Sequence, residues 1–542
     1  MNRREIIKNL AIIPFAGGFF PPQESIAGTS ALTANLASGP LQIGPKIYES
    51  IGVDPIINCR GTFTIIGGSL ERPEVLAASK AAAAYFVQYD EMAFGVGRRL
   101  AEITGAEWGV VTSGCAAGLK HVAAACVTGG NPERLIRIPD LTGMDKTEVI
   151  IPGSSRNVYD HAIRNIGVKI VTVETPEEMA HAINPQTALI YLVAGDSLDK
   201  GQPLSLEVIA DIAKPKNVPI LVDAAAEILT IPNVHLQRGA TIVAYSGGKA
   251  ICGPQCAGLL LGKKDILMAA WQASSPHHGP GRDNKVGKEE MLGMLAAVEA
   301  WTTRDHQAEW KTWLSWLDVI AKKISKIDGV ETSVHEPTGL SNRSPVLNIS
   351  WDPEKLHVTA EEIAEDFARN KPRIAIGGNS KNGKTTLSVT TGQMQPGNEK
   401  VVADRIHDSL SKKRKPQSNE MAAPSATISG HWDVTVEFFN STSQHSLFIE
   451  QDGNWIQGTH HSDFSLQEVV GMIEGDQVKL HSTVRIPGSR VTYLFSGTAS
   501  ADGMSGSIYL GEYLNAKFTA KRAAYRGDRK RIVIPGGPPL AT

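Results

Sequence analysis

Three short stretches of this chain hold residues that could do chemistry together. Residues 245–258, YSGGKAICGPQCAG, place Lys249 among glycines directly after the apolar run 241–244. A solvated lysine needs no such setting, whereas one that must meet another molecule at close quarters does. Asp223 ends the apolar stretch VPILVD and precedes three alanines. That is the carboxyl end of a buried strand, where open α/β sheets hold their ligands. Ser113-Gly114-Cys115 closes another apolar stretch and opens a helix of small residues. Such a junction leaves N–H groups and the positive end of a helix dipole free for an anion.

An anion cradle, a buried acid and an amine in a glycine pocket are what pyridoxal phosphate asks of a protein. Its phosphate needs a helix N-terminus, its pyridine nitrogen a carboxylate and its aldehyde a lysine. Taken singly, the three stretches read as a helix cap, an N-cap aspartate and a surface lysine. Their order, with Lys249 standing 26 positions after Asp223, lifts the combination above those plainer readings. No metal is expected. Cys59, Cys115, Cys126, Cys252 and Cys256 are an odd number without a CxxC pair or zinc-like spacing, and they read as small packing thiols.

The elements that must position these groups follow from the hydrophobic pattern. Residues 106–112, 148–151, 168–173, 188–193, 218–223 and 241–246 are short Val/Ile/Leu-rich runs separated by helical stretches. That is the pattern of parallel strands buried on both faces. Helical stripes at 284–301 and 310–324 carry Trp301, Trp310 and Trp313, which read as core or interface. Strands near 329–332, 346–349 and 386–389, with a helix at 360–370, make a smaller α+β segment. After a charged, then Ser/Ala/Pro-rich stretch, residues 431–525 alternate in short strands with turns at Asp452-Gly453-Asn454, Glu474-Gly475-Asp476 and Asp502-Gly503. This pattern predicts a small antiparallel sandwich or barrel.

The expected organisation is thus a signal at 1–30, a large cofactor-binding α/β domain at 45–310 and a small α+β domain at 311–410. A linker at 411–430 and a β domain at 431–525 complete it. The first segment carries Arg3-Arg4, a short apolar region from Leu10 to Phe20 and the small residues Ser25-Ile26-Ala27. It resembles a twin-arginine export signal, which implies a periplasmic or secreted protein folded around its cofactor before export. A net charge of −2 gives no field to draw the chain to nucleic acid. No later apolar run reaches spanning length, so no integral membrane span is expected in the mature protein.

TSGCAAGL, ILVDAAAE and YSGGKAICGPQCAG resemble the fold-type-I pyridoxal phosphate enzymes, in the bacterial selenocysteine synthase-like branch that includes amino-sugar-acid ammonia-lyases or dehydratases. IINCRGTFTIIGGS (56–69), GRRLAEITGAEWGVVTSG (97–114), RNVYDHAIRNIGV (156–168) and GRDNKVGKEEMLGMLAAVEAW (281–301) extend the resemblance over roughly residues 45–410. It implies an aminotransferase-like large domain with a mainly parallel sheet, and Lys249 as the lysine joined to the cofactor. It further implies Asp223 at the pyridine nitrogen, and Ser113, Gly114, Cys115 and Ser246 around the phosphate. Homodimers or larger rings are implied, with Arg282, Lys285 and Lys288 facing a neighbour's site. Where many relatives carry a ring-stacking histidine this chain has Ser155, with Tyr159 and His161 as substitutes; Arg373 is the candidate for a substrate carboxylate.

The function so implied is a lyase acting by α,β-elimination on a small amino acid or amino-sugar acid. A racemase or epimerase would use the same carbanion with a second acid/base group such as His161 or Tyr159. From another class, a binding protein could keep the cofactor site as a relic.

Overall fold

The computed structural model describes residues 40–416 and 420–523, with 531, 533 and 536–538. The expected signal at 1–30 lies outside the described residues. The chain divides into two compact units, one of Ala37–Pro416 and one that includes Gln417–Thr542.

In the first unit, β1 (Ile57–Cys59) precedes seven strands: β2 (Trp108–Thr112), β3 (Glu148–Pro152), β4 (Lys169–Val173), β5 (Thr187–Val193), β6 (Ile220–Asp223), β7 (Ile242–Ser246) and β8 (Gly258–Gly262). They form one sheet in the order β2-β8-β7-β6-β5-β3-β4. The five strands β7, β6, β5, β3 and β4 run parallel. β8 runs antiparallel to both β2 and β7. Six of the strands lie where the hydrophobic runs predict them. β8 was not expected, because its GLLLG follows the lysine turn so closely that no crossover helix fits between; a reversal is the remaining way into the sheet. Every residue of β2, β3, β6 and β8 is buried, which explains their unbroken apolar runs.

The second sheet adds β9 (Val330–His335), β10 (Val346–Trp351), β11 (Ile374–Lys381) and β12 (Lys384–Thr390), in the order β1-β11-β12-β10-β9. β1 pairs parallel with β11, Ile57 opposite Ile374. Residues 57–59, expected within the large domain at 45–310, therefore belong to the small domain's sheet, which corrects the N-terminal bound at 45. Three residues of strand carry too little pattern to reveal a partner more than 300 positions away. The helix Ala360–Arg369 opens on a capping box, Thr359 and Glu362 bonding each other's backbone, and buries Ile363 and Phe367 against this sheet.

In the second unit, eight antiparallel strands close into a barrel in chain order: β13 (Gly430–Glu437), β14 (Thr442–Asp452), β15 (Trp455–His461), β16 (Leu466–Glu474), β17 (Gln477–Ile486), β18 (Ser489–Ala499), β19 (Gly503–Tyr509) and β20 (Asn515–Arg522). Of the two architectures expected, the barrel forms; closure leaves no free edge. The expected linker is shorter than 411–430. Ser425 N–H donates to Gly475 O at 2.8 Å, and Ile428 is fully buried in the barrel core.

Candidate active site

The sheet registers bring the three stretches to one edge. Gly258 on β8 stands opposite Thr112 on one side and Ser246 on the other. Asp223 stands opposite Ala244 and Val193. Thr112, Ser246, Asp223 and Val193 thus end neighbouring strands, and the turns that follow them converge.

The helix Cys115–Thr128 begins directly at this edge. Its N-cap, Gly114, has φ 85° and no side-chain cap, a backbone setting open to glycine and costly for other residues. The first bond closing the helix runs from Gly118 N–H to Gly114 O, so the amides of Cys115, Ala116 and Ala117 have no intrahelical acceptor. A Cβ on Gly258 would lie 2.4–2.6 Å from the Gly114 carbonyl and Cys115 N, whereas one on Gly114 would meet nothing within 4 Å. The cradle is therefore closed from behind by β8 and open in front, as a phosphate group requires.

Asp223 is 6% exposed and held from several sides. Its Oδ2 accepts from Tyr191 Oη at 2.9 Å. Its Oδ1 accepts from Ala225 N at 3.0 Å and from Cys115 Sγ at 3.5 Å. Burial raises its pKa above the usual carboxylate value, and the bonds from Ala225, Tyr191 and Cys115 with the charge of Lys249 offset this only in part. A buried carboxylate left short of positive charge is what a protonated pyridine nitrogen would complete. Burial, then Asp223, pushes the Cys115 thiol well up, so it stays a neutral donor. Tyr191 is fixed in turn by Asn157 Nδ2, 3.2 Å from its hydroxyl. Neither Tyr191 nor Asn157 was expected at the site. The hydroxyl of Tyr191, set in the apolar run ALIYLV, was the signal available.

Lys249 sits half-buried in the turn after Ser246. Its charge lowers the pKa of both Asp223 and Cys115, and its amine has no hydrogen-bond or ion-pair partner among the described residues. The turn around it is tightly held. Ser69 N–H donates to Gly248 O at 3.0 Å, Cys252 N–H to Lys249 O at 3.0 Å and Gly253 N–H to Gly247 O at 2.9 Å. A Cβ on Gly248 would lie 2.5 Å from Gln255 Cα, so the glycines of SGGK serve close packing of backbone on backbone. Arg304 Nη1 donates to Ala250 O at 3.3 Å. Glu309 holds Arg304 at 2.8 Å and Arg72 at 3.2 Å, and Arg72 N–H reaches Cys252 O. Arg304, Glu309 and Arg72 are positioning residues for the lysine turn, and none was anticipated from the sequence.

A cleft of about 700 Å³ opens between the two sheets. Its walls include Ala226 and Ala250, close in sequence to Asp223 and Lys249, and Asn342, Arg343 and Gln393 from the small domain. Lys249, Asp223 and Ser113 do not themselves line it. Arg60, Lys311 and Arg343 face it without an ion-pair partner among the described residues. Arg60 lies 5.2 Å over Phe63 and Arg343 5.8 Å over Trp310. Of the three tryptophans expected in core or interface, Trp301 is buried and Trp310 and Trp313 are half-buried, and all three join the cleft wall.

The structure places the remaining expected residues as follows. Ser155 is 1% exposed and accepts from Val193 N–H at 3.0 Å, so it ties the end of β5. Tyr159 is 54% exposed; His161 is exposed, with Nδ1 3.0 Å from Arg164. Arg373 is absent from the cleft: its Nε donates to Ala368 O at 2.7 Å and its Nη1 to Asp54 O at 3.2 Å, pinning the start of β11. Arg282 and Lys285 are exposed, the Arg282 side chain reaching Ser275 at 3.4 Å, and Lys288 pairs with Glu289. The cysteines are all free thiols; Cys59 and Cys115 are buried, but Cys126 and Cys252 only partly so, and Cys256 is exposed.

The fold and this edge define a pyridoxal-phosphate-dependent enzyme of fold type I, and the residues present fit the cofactor. Residues 100–283 match the aminotransferase class-V family. The chain is 33% identical over 301 residues to D-glucosaminate-6-phosphate ammonia lyase of Salmonella typhimurium, spanning 54% of this chain and 79% of that protein. It is 29% identical over 379 residues to 5'-C-glycyluridine monooxygenase-decarboxylase of a Streptomyces species, covering 67% of this chain and 92% of that one. A solved structure of D-glucosaminate-6-phosphate ammonia-lyase superposes with a TM-score of 0.61 at 28% identity, over 68% of this chain and all of that one. The chain belongs to this family, the selenocysteine synthase-like branch that holds D-glucosaminate-6-phosphate ammonia lyase. A relic site in a non-catalytic protein is thereby set aside.

Proposed function

We propose that this enzyme is an ammonia lyase acting on an amino-sugar acid or a related β-hydroxy amino acid. The observation that carries the reading is the amine of Lys249, unpartnered among the described residues, near a buried Asp223 locked by Tyr191, Ala225 and Cys115. Pyridoxal phosphate, when bound, would supply an electron sink for the pair left at Cα. The amides at the start of the helix Cys115–Thr128 would hold its phosphate, with Ser113 and Ser246 beside them, and Asp223 would hold a proton on its ring nitrogen. Lys249 Nζ takes the proton from Cα and passes it to the departing β-hydroxyl, which leaves as water. The unsaturated amino acid tautomerises to an imine, and addition of water releases ammonia and a 2-keto-3-deoxy acid.

Elimination is favoured over racemisation because a racemase needs a second acid/base group on the opposite face. Tyr159 is 54% exposed and His161 engages Arg164. Arg60, Lys311 and Arg343 suit an anionic substrate, and the ammonia-lyase relative acts, by its name, on a phosphorylated sugar acid. We further propose a homo-oligomer, and export through the Arg3-Arg4 segment. Incubating the holoenzyme with D-glucosaminate 6-phosphate in deuterium oxide tests the reaction. The expected products are ammonia and a keto acid in equal amounts; Cα deuteration without ammonia would instead indicate a racemase.

A further inference from the structure

The two ends of the barrel differ sharply. Because β13 to β20 pair in chain order, the hairpins β13–β14, β15–β16, β17–β18 and β19–β20 share one end. The turns β14–β15, β16–β17 and β18–β19 share the other with the chain's way in and out. That second end carries Asp452-Gly453-Asn454, Glu474-Gly475-Asp476 and Ala501-Asp502-Gly503. The first end presents a large apolar side chain on each hairpin: Phe439 (60% exposed), Phe464 (98%), Ile486 (57%) and Tyr513 (49%), with Leu466 and Leu514 beside them. On the described barrel strands and turns, the acidic end exposes one comparable residue, Trp455, on β15.

Flanking Ile486, Arg485 stands directly opposite Arg490 across the β17–β18 hairpin. Both are exposed, and neither has an ion-pair or hydrogen-bond partner among the described residues. Like charges facing each other across strands cost stability, so the barrel fold itself does not account for this pair. Of the carboxylates at this end, Asp463 bonds Ser443 and Glu512 bonds Tyr513, while Glu468 is exposed. Glu437 stands opposite Lys517.

We propose that this end of the barrel docks on an anionic lipid surface, the apolar tips entering the headgroup layer and Arg485 and Arg490 meeting lipid phosphates. Four separate protruding tips do not make the single complementary patch that a protein partner buries. They suit an interface that yields around each side chain, where aromatic residues are favoured. The cationic pair then gains counter-charges, and the acidic turns at the far end face away from the like-charged surface.

Co-sedimentation of the full-length holoenzyme with phosphatidylglycerol/phosphatidylcholine vesicles tests this against pure phosphatidylcholine. The protein is expected to pellet with the anionic vesicles and stay in solution with the neutral ones. The double variant Arg485→Gln/Arg490→Gln is expected to weaken binding on the order of thirty-fold, and Phe464→Ser by about ten-fold. These exposed substitutions leave the cofactor's visible absorbance unchanged, which confirms an intact enzyme. In Phe464→Trp, tryptophan emission should shift to the blue on anionic vesicles alone. Wild-type protein that stays in solution with both vesicles, or Phe464→Ser that pellets like wild type, overturns the proposal.

Discussion

The strand ends that gather Ser113, Asp223 and Lys249 differ from the cleft beside them in how many distant segments build each. Each cofactor group stands in a run of about a dozen neighbouring residues: a buried strand, a tight turn, then a glycine or small-residue stretch. The cleft takes its wall from residues near 60, 226, 250, 304, 343 and 393, no two of which share a motif. A pyridine ring and a phosphate can be held at the ends of adjacent parallel strands, so their ligands come with local patterns. A substrate held between two sheets must be met by whichever side chains the domain packing delivers. The cofactor side should therefore be rigid and intolerant of substitution, and the substrate side more adjustable.

The largest effect is expected at Asp223. Asp223→Asn keeps the volume but removes the charge that holds a proton on the ring nitrogen, and kcat should fall about 10²–10³-fold. The same variant should change stability in the opposite sense. Burial raises the folded pKa of Asp223, so the folded chain binds its proton more tightly than the unfolded chain does. The stability that this carboxyl contributes is present below the unfolded pKa and is lost as pH rises through the folded value. Thermal melts of the cofactor-free protein should show Asp223→Asn more stable than wild type at pH 7, with the gap closing toward pH 4. A destabilised Asp223→Asn apoprotein would contradict this account of the carboxylate.

An intermediate effect is expected at Glu309, which braces the lysine turn through Arg304 and Arg72 and also lines the cleft. Glu309→Gln keeps the shape but removes the ion pairs to Arg304 and Arg72 that brace the Ala250 and Cys252 carbonyls. Loosening the Lys249 turn should lower kcat about ten-fold with little change in KM, and speed cofactor loss on dilution, followed by fluorescence. The smallest effects separate two arginines. Arg343→Ala should raise KM about ten-fold while leaving kcat. Arg373→Ala should leave both constants and cost about 1–2 kcal/mol of stability in urea melts, through its lost bonds to the Ala368 and Asp54 carbonyls. If Arg373→Ala shifted KM instead, the assignment of the substrate side would be reversed.

That contrast also explains what the chain could disclose before its fold was known. Six strands of the large sheet were legible, because burial on both faces leaves unbroken Val/Ile/Leu runs. Lys249 and Asp223 were legible because one polar residue at the end of such a run is conspicuous. β1 was not, since its three residues matter only through Ile374, far along the chain. Arg373 looked like an anion ligand because charge is visible in a sequence and a backbone carbonyl waiting for it is not. Trp310 and Trp313 followed a helical stripe correctly, but the stripe outlasts the core; burial is complete only from Leu317 onward.

The central claim is that Lys249, and no other amine, joins the cofactor at the meeting point of these strand ends. Reducing the holoenzyme with borohydride, digesting it and mapping the pyridoxyl-phosphate adduct by mass spectrometry tests this most directly. The account predicts one modified peptide, that containing Lys249, and no adduct in Lys249→Ala. An adduct on Lys120, Lys285 or any other lysine of the wild-type protein, or none at all, would contradict it.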